Sequence, residues 1–230
     1  MTVTPSKLTR AAALCAVLAG LLFIIIQPLH PEETVANVTT STWKVVHYMT
    51  VAMGAFALVG LAGLYLRQAR EVGWLGLIGY AVFSLEYLLV VAHSYAEALV
   101  VPPAAEDAPR FVSSFVGILA DSAGNYDLGP VGAIGVVSYI LFVLGSVLFG
   151  IAVFRARVLS RGAGALLAIG AAGTLLTPLF PHGLERWAAG PVGAALVWLG
   201  LSLWSNQRAT APLSSTESHA PRLEPAGYSA

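Results

Sequence analysis

Glu86, His93 and Glu97 carry the chemistry that is most readable in this chain. They stand at i, i+7 and i+11, and at about 100° per residue all three fall within roughly 40° of one helix face. The stretch that holds them, residues 72–100, is otherwise almost wholly apolar. At about 1.5 Å per residue such a helix is long enough to cross a bilayer, with Glu86 close to the midplane. A carboxyl group there costs on the order of 3 kcal/mol to insert and by default marks a functional site. Burial favours the neutral form of a carboxyl, and a neutral acid in a dry pocket suits protonation of an alkene or an epoxide. The resulting carbocation needs water excluded and π faces nearby. Phe83 and Tyr87 flank Glu86, and Tyr95, Phe111, Phe115, Tyr126 and Tyr139 are expected to line the pocket above it. His93 or Glu97 would take the final proton. The plainer alternative for Glu86 is a hydrogen bond to Ser138, Tyr139 or Thr174 that ties two helices together.

Composition sets the surroundings. The 230 residues are 57% hydrophobic and only 10% charged, with a mean hydropathy of +0.77. A soluble domain carries roughly 25% charged residues, so an all-α, polytopic membrane protein is expected, with the lipid bilayer as its first partner. Formal net charge is zero, which gives no indication of a nucleic-acid partner. The single cysteine, Cys15, lies in an apolar run and is expected to pack as a small apolar side chain. One cysteine makes neither an internal disulfide nor a CxxC redox motif.

The elements that must position these residues follow from the hydrophobic runs. Lys7 and Arg10 precede an apolar run to Leu29. Its length and the lack of a small-x-small cleavage site favour a span over a signal peptide. Trp43 and Lys44 read as an interface anchor at the head of a second span ending near Leu66, and the Glu86 helix is the third. Beyond Pro102 and Pro103, residues 109–121 predict a short interfacial or re-entrant helix between spans three and four, with Asp107 as its cap and Phe111, Phe115, Ile118 and Leu119 on one face. Gly124 to Asp127 reads as a turn. Three more spans are expected over residues 130–154, 162–180 and 187–204, the second of them rich in Gly and Ala. Residues 1–205 thus form a six-span bundle, and the Ser-, Pro- and Ala-rich residues 206–230 read as a disordered cytoplasmic tail.

Six spans place Lys7, Arg10, Arg67, Arg70, Arg155, Arg157, Arg161 and Arg208 on one side, leaving Lys44, Arg110 and Arg186 on the other. By the positive-inside rule both termini are cytoplasmic, in the cell membrane. His30, His47, His93 and His182 then collect near the outer face with Glu97, Asp121, Asp127 and Glu185. An outward-opening polar pocket is expected, with Glu86 as its floor and residues 109–121 over its mouth. Matched depth also allows His47 and His93 to be axial ligands of a b-type haem, with Gly54 admitting the ring, or His47, His93 and Glu97 to bind a metal. Proton-coupled transport through Glu86 and a purely structural role are further possibilities, although the two halves of the chain share no visible repeat. No DDxxD motif is present to hold magnesium and a diphosphate.

Leu85-Glu86-Tyr87, an acid beside an aromatic ring inside a membrane helix, resembles the small integral-membrane terpene cyclases of meroterpenoid and indole-terpenoid pathways. The resemblance implies cyclisation of an apolar isoprenoid, started by protonation, with no cofactor. That family has seven helices and a second essential acid in its last one. Residues 188–205 contain no acid, so Glu97, Asp121 or Asp127 would have to serve. The run Gly60 to Gln68, followed later by Glu97 to Pro102, also resembles six-helix bacterial membrane proteins of unassigned activity.

Overall fold

The computed structural model describes residues 2–118, 124–179, 187, 188 and 190–209. These residues form helices and turns, with no strand among them. The long helices are α1 (Pro5–Leu29), α2 (Ser41–Arg67), α3 (Ala69–Leu99), α6 (Ile134–Ala156), α7 (Arg161–Gly173) and α8 (Gly190–Ala209). Two short ones, α4 (Val101–Ala104) and α5 (Pro109–Val116), lie between α3 and α6. α1, α2, α3 and the segment Gly129–Ala156 are long and apolar enough to cross a membrane.

Local chemistry explains where the helices begin. The Thr4 hydroxyl accepts the Lys7 N–H, with Pro5 in the first turn of α1, where its missing N–H costs nothing. Thr40 caps α2 in the same way, accepting the Trp43 N–H at 3.2 Å. α2 and α3 meet at Gln68. Just inside α3, Gly73 adopts φ 56° and ψ −156°, which breaks the helical path; a positive φ favours glycine because it has no Cβ to clash.

Two expectations for the connection are corrected. Asp107 does not cap α5, because Ala108 occupies that position and no side chain accepts there. α5 ends at Val116, and residues 119–121 of the expected helix lie outside the described residues. The expected fifth span continues past α7 as a 3-10 helix, Thr174–Leu179.

The long helices close a ring. α1 packs on α2, α2 on α3, α3 on α6, α6 on α7, and α8 on both α7 and α1. The main core runs through this ring and includes Phe83, Tyr87 and Phe149. A second apolar cluster, with Val38, Trp43, Val101, Val112 and Val116, joins the start of α2 to α4 and α5. The α3–α6 seam is close because Gly145 lies against the backbone of Phe83, and Gly79 against that of Phe149.

Candidate functional site

The stripe on α3 divides between two neighbours. Glu86 faces α6, where the Ser138 hydroxyl donates to its Oε2 at 2.7 Å. Gly79 and Phe83 lie on the same seam of α3 and Gly145 and Phe149 on that of α6. Glu86 is 6% exposed, so this hydrogen bond sits within packed helix surfaces and is the interhelical tie set out above as the plainer alternative.

Glu97, 11 residues on, faces α2. Its Oε2 lies 3.1 Å from His47 Nε2, and its Oε1 lies 3.4 Å from His93 Nε2. All three side chains are buried. Neither nitrogen is aligned for a straight hydrogen bond, and His93 Nδ1 has no hydrogen-bond partner among the described residues.

Trp43 and the cap on α2 fix this arrangement. Thr40 starts α2 so that Trp43 and His47 stand one turn apart on the face toward α3. His47 Nδ1 lies 2.7 Å from the Trp43 carbonyl. A carbonyl only accepts, so Nδ1 carries the proton and donates it. The Trp43 indole N–H donates to the Glu97 carbonyl at 2.9 Å, and its ring lies 4.2 Å from that of His47. Trp43, expected as an interface anchor, is fully buried. The His30 ring stands 5.2 Å from that of His47.

The hydrogen bonding has a consequence for protons. With Nδ1 donating to Trp43, a neutral His47 points the lone pair of Nε2 at Glu97. A carboxylate oxygen facing that lone pair would be two acceptors 3.1 Å apart. A proton between them, on either atom, removes the conflict. His93 approaches the other oxygen of the same carboxyl group.

The roof of this cluster comes from α5. The Phe115 ring stacks on His93 at 4.8 Å and 19°, Phe111 packs against Phe115 at 5.7 Å, and Tyr126 meets Phe111 edge-on at 5.9 Å. The other expected aromatic residues lie apart. Phe83 and Tyr87 are core side chains, 5.0 Å apart. Tyr95 is 55% exposed; two residues from His93, it is turned about 200° around the helix. It does not line the site. Tyr139 is part-exposed, with its hydroxyl 3.4 Å from that of Thr174. Asp127 accepts the Gly129 N–H at 2.8 Å and acts as a turn cap. Asp121, His182 and Glu185 lie outside the described residues.

Glu86, expected as the floor of an outward pocket, is buried against α6. Cavities of about 280 and 390 Å³ lie elsewhere, the first beside Gly73 and Arg155, the second beside Arg110 and Asn125. The position over Gly54, expected to admit a haem ring, holds the Val91 side chain. His47 and His93 address different oxygens of one carboxyl group. Among the described residues no group of three or more His, Cys, Asp and Glu has the arrangement of a metal site.

No family model matches this chain, and no curated protein or solved structure matches it.

Proposed function

We propose that this chain is a six-span membrane protein with cytoplasmic termini, and that it performs acid–base chemistry on an apolar, isoprenoid-like molecule taken from the bilayer. The lengths support six spans. α8, at 20 residues, reaches about 30 Å, and α7 with its 3-10 extension, 13 and 6 residues, covers a similar distance. The hydrocarbon core is about 30 Å thick.

One observation carries the chemistry: a buried carboxyl group shared by two imidazoles beneath an aromatic roof. In this reading a proton passes between Glu97 and His47, and His93 accepts or returns one at the other carboxyl oxygen. His93 Nδ1, with no hydrogen-bond partner among the described residues, lies on the ring that Phe115 covers. Lifting Phe115 would expose an acid–base pair to a substrate arriving among Phe111, Phe115 and Tyr126. Protonation of an alkene followed by loss of a proton from the cation returns the borrowed proton, so the product is an isomer of the substrate. This reading moves the leading role from Glu86 to Glu97. Glu86 remains a second buried carboxyl, tied to Ser138.

The test is incubation of the purified full chain in lipid nanodiscs with squalene, a polyprenol and a prenylated quinone, followed by mass spectrometry for isomers of unchanged mass. General acid–base groups contribute about 10²–10⁴-fold, so Glu97→Gln and His93→Ala should each lower isomer formation by that order while the chain still elutes as a folded species. An isomer formed equally by Glu97→Gln would overturn the assignment. An isomer lost in Glu86→Gln but kept in Glu97→Gln would return the acid to Glu86.

A further inference from the structure

The far end of α3 carries a second feature, unconnected with the Glu97 cluster. The break at Gly73 opens a notch of about 280 Å³ between α3 and the end of α6. Glu71, Gly73, Trp74 and Leu75 form one wall, and Ala152 and Arg155 the other. A Cβ at Gly73 would meet nothing within 4 Å, so the break faces open space. The notch is smaller than the pockets that take drug-sized ligands, about 300–1,000 Å³. It suits a small polar group.

Charge identifies that group. The notch holds one carboxylate and one guanidinium, and neither Glu71 nor Arg155 has an ion-pair partner among the described residues. Two opposite charges that line one opening without neutralising each other fit a ligand that carries both signs.

Depth and the neighbouring surface identify what the group is attached to. Trp74 lies 12 residues from Glu86, about 18 Å along the helix, just beyond the half-thickness of the hydrocarbon core. It is 78% exposed, at the level where tryptophan anchors membrane proteins. Ile78 and Leu85 follow Trp74 on one face of α3 at i+4 and i+11, and Ile151 and Leu144 precede Arg155 at the same spacings on α6. All four are exposed. Two apolar tracks therefore lead away from the notch toward the middle of the helices.

We propose that this notch binds the headgroup of a zwitterionic phospholipid with a primary ammonium, such as phosphatidylethanolamine. Arg155 takes the phosphate, for which a guanidinium fork is well shaped. Glu71 takes the ammonium through its N–H donors, and the acyl chains follow the two apolar tracks. A choline headgroup has no N–H to donate, and a glycerol headgroup has no cation. The proposal rests on the membrane-spanning reading and is independent of the acid–base one.

The test is native mass spectrometry of the full chain, extracted in detergent from carbonate-washed membranes and offered phosphatidylethanolamine, phosphatidylglycerol and phosphatidylcholine of matched chains. An exposed ion pair contributes up to about 1 kcal/mol, or roughly fivefold. The wild-type chain should retain phosphatidylethanolamine over each of the others by that factor. Glu71→Gln should erase its preference over phosphatidylglycerol. Arg155→Gln should weaken both, and Glu71→Lys should invert the preference toward phosphatidylglycerol. Equal retention of the three lipids, or an unchanged ratio in Glu71→Gln and Glu71→Lys, would overturn the proposal. Displacement of the lipid by an equal concentration of soluble glycerophosphoethanolamine would overturn the lipid assignment in favour of a water-soluble zwitterion. Recovery of the chain in washed membranes tests the spanning reading separately, so the two failures are distinguishable.

Discussion

At the scale of single residues, a polar atom inside this bundle has a role only if something meets it. The Tyr87 hydroxyl is buried without a hydrogen-bond partner among the described residues. Leaving such a group unsatisfied costs about 1–3 kcal/mol, so Tyr87→Phe should leave isomer formation intact and hold or raise the unfolding temperature of the purified chain. Lost activity with unchanged stability would instead make the hydroxyl part of the reaction. The histidines give a sharper contrast. Because both Nε2 atoms face Glu97, the purified chain should show no Soret band with or without dithionite. A stoichiometric band bleached by His93→Ala would reverse this reading. Sequence depth placed His47 and His93 at one level, and the structure sets both against Glu97. Depth alone could not say which way either ring faced, because that depends on the neighbours around the bundle. Tyr95 illustrates the opposite case: its 200° offset from His93 was already legible in the residue numbers, and grouping the aromatic residues by height alone misplaced it. Trp43 shows another limit of reading from sequence. A tryptophan beside a lysine at a helix start suits an interface, and only the second apolar cluster around α4 and α5 explains its burial.

At the scale of elements, close approach of helices decides what the seams tolerate. Hydrophobic runs located the long helices because lipid demands continuous apolar length. The seams were less visible. The fifth apolar run is the Gly-rich one, yet the α3–α6 contact depends on Gly79 and Gly145, in two other runs. A methyl group at Gly145 would press on the Phe83 backbone, which cannot swing aside as a side chain can. Gly145→Ala should therefore cost on the order of 1–3 kcal/mol through overpacking, read as a lower unfolding temperature. It should also disturb Glu86 and Ser138, which bridge the same two helices. Gly173, at the end of α7, has nothing among the described residues within 4 Å of its Cβ position. Gly173→Ala should be neutral, or stabilising by up to about 1 kcal/mol. Equal losses at both positions would show that helix separation is not what Gly145 controls.

At the scale of the whole molecule, the ring of helices and the distribution of positive charge make one joint prediction about sidedness. α1, α2 and α3 separate residue 2 from the α4–α5 segment, and α6 separates residue 125 from Arg157. α5 has 8 residues, about 12 Å, and cannot cross the hydrocarbon core. If α1, α2, α3 and the segment Gly129–Ala156 each cross, Glu106 and Asn125 lie on one face and Thr2 and Arg157 on the other. By the positive-inside rule, the cluster of Arg155, Arg157 and Arg161 predicts that this second face is cytoplasmic. The check is labelling of single cysteines with a membrane-impermeant maleimide, in a chain whose native thiol is removed by Cys15→Ala. In intact cells Glu106→Cys and Asn125→Cys should react, while Thr2→Cys and Arg157→Cys should react only after permeabilisation. Trp187→Cys and Ser205→Cys extend the test to α7 and α8. Two further crossings require residue 187 to label from outside and residue 205 from within. If residue 187 labels only from within while the other sites behave as expected, α7 and α8 do not each cross, and the chain has four spans. The Glu97 cluster would keep its outward position in that case, because α2 and α3 alone place His47, His93 and Glu97 near the face that bears α5. The proposed site thus depends on the first three spans, and the span count depends on the last two helices, so one labelling series can decide them separately.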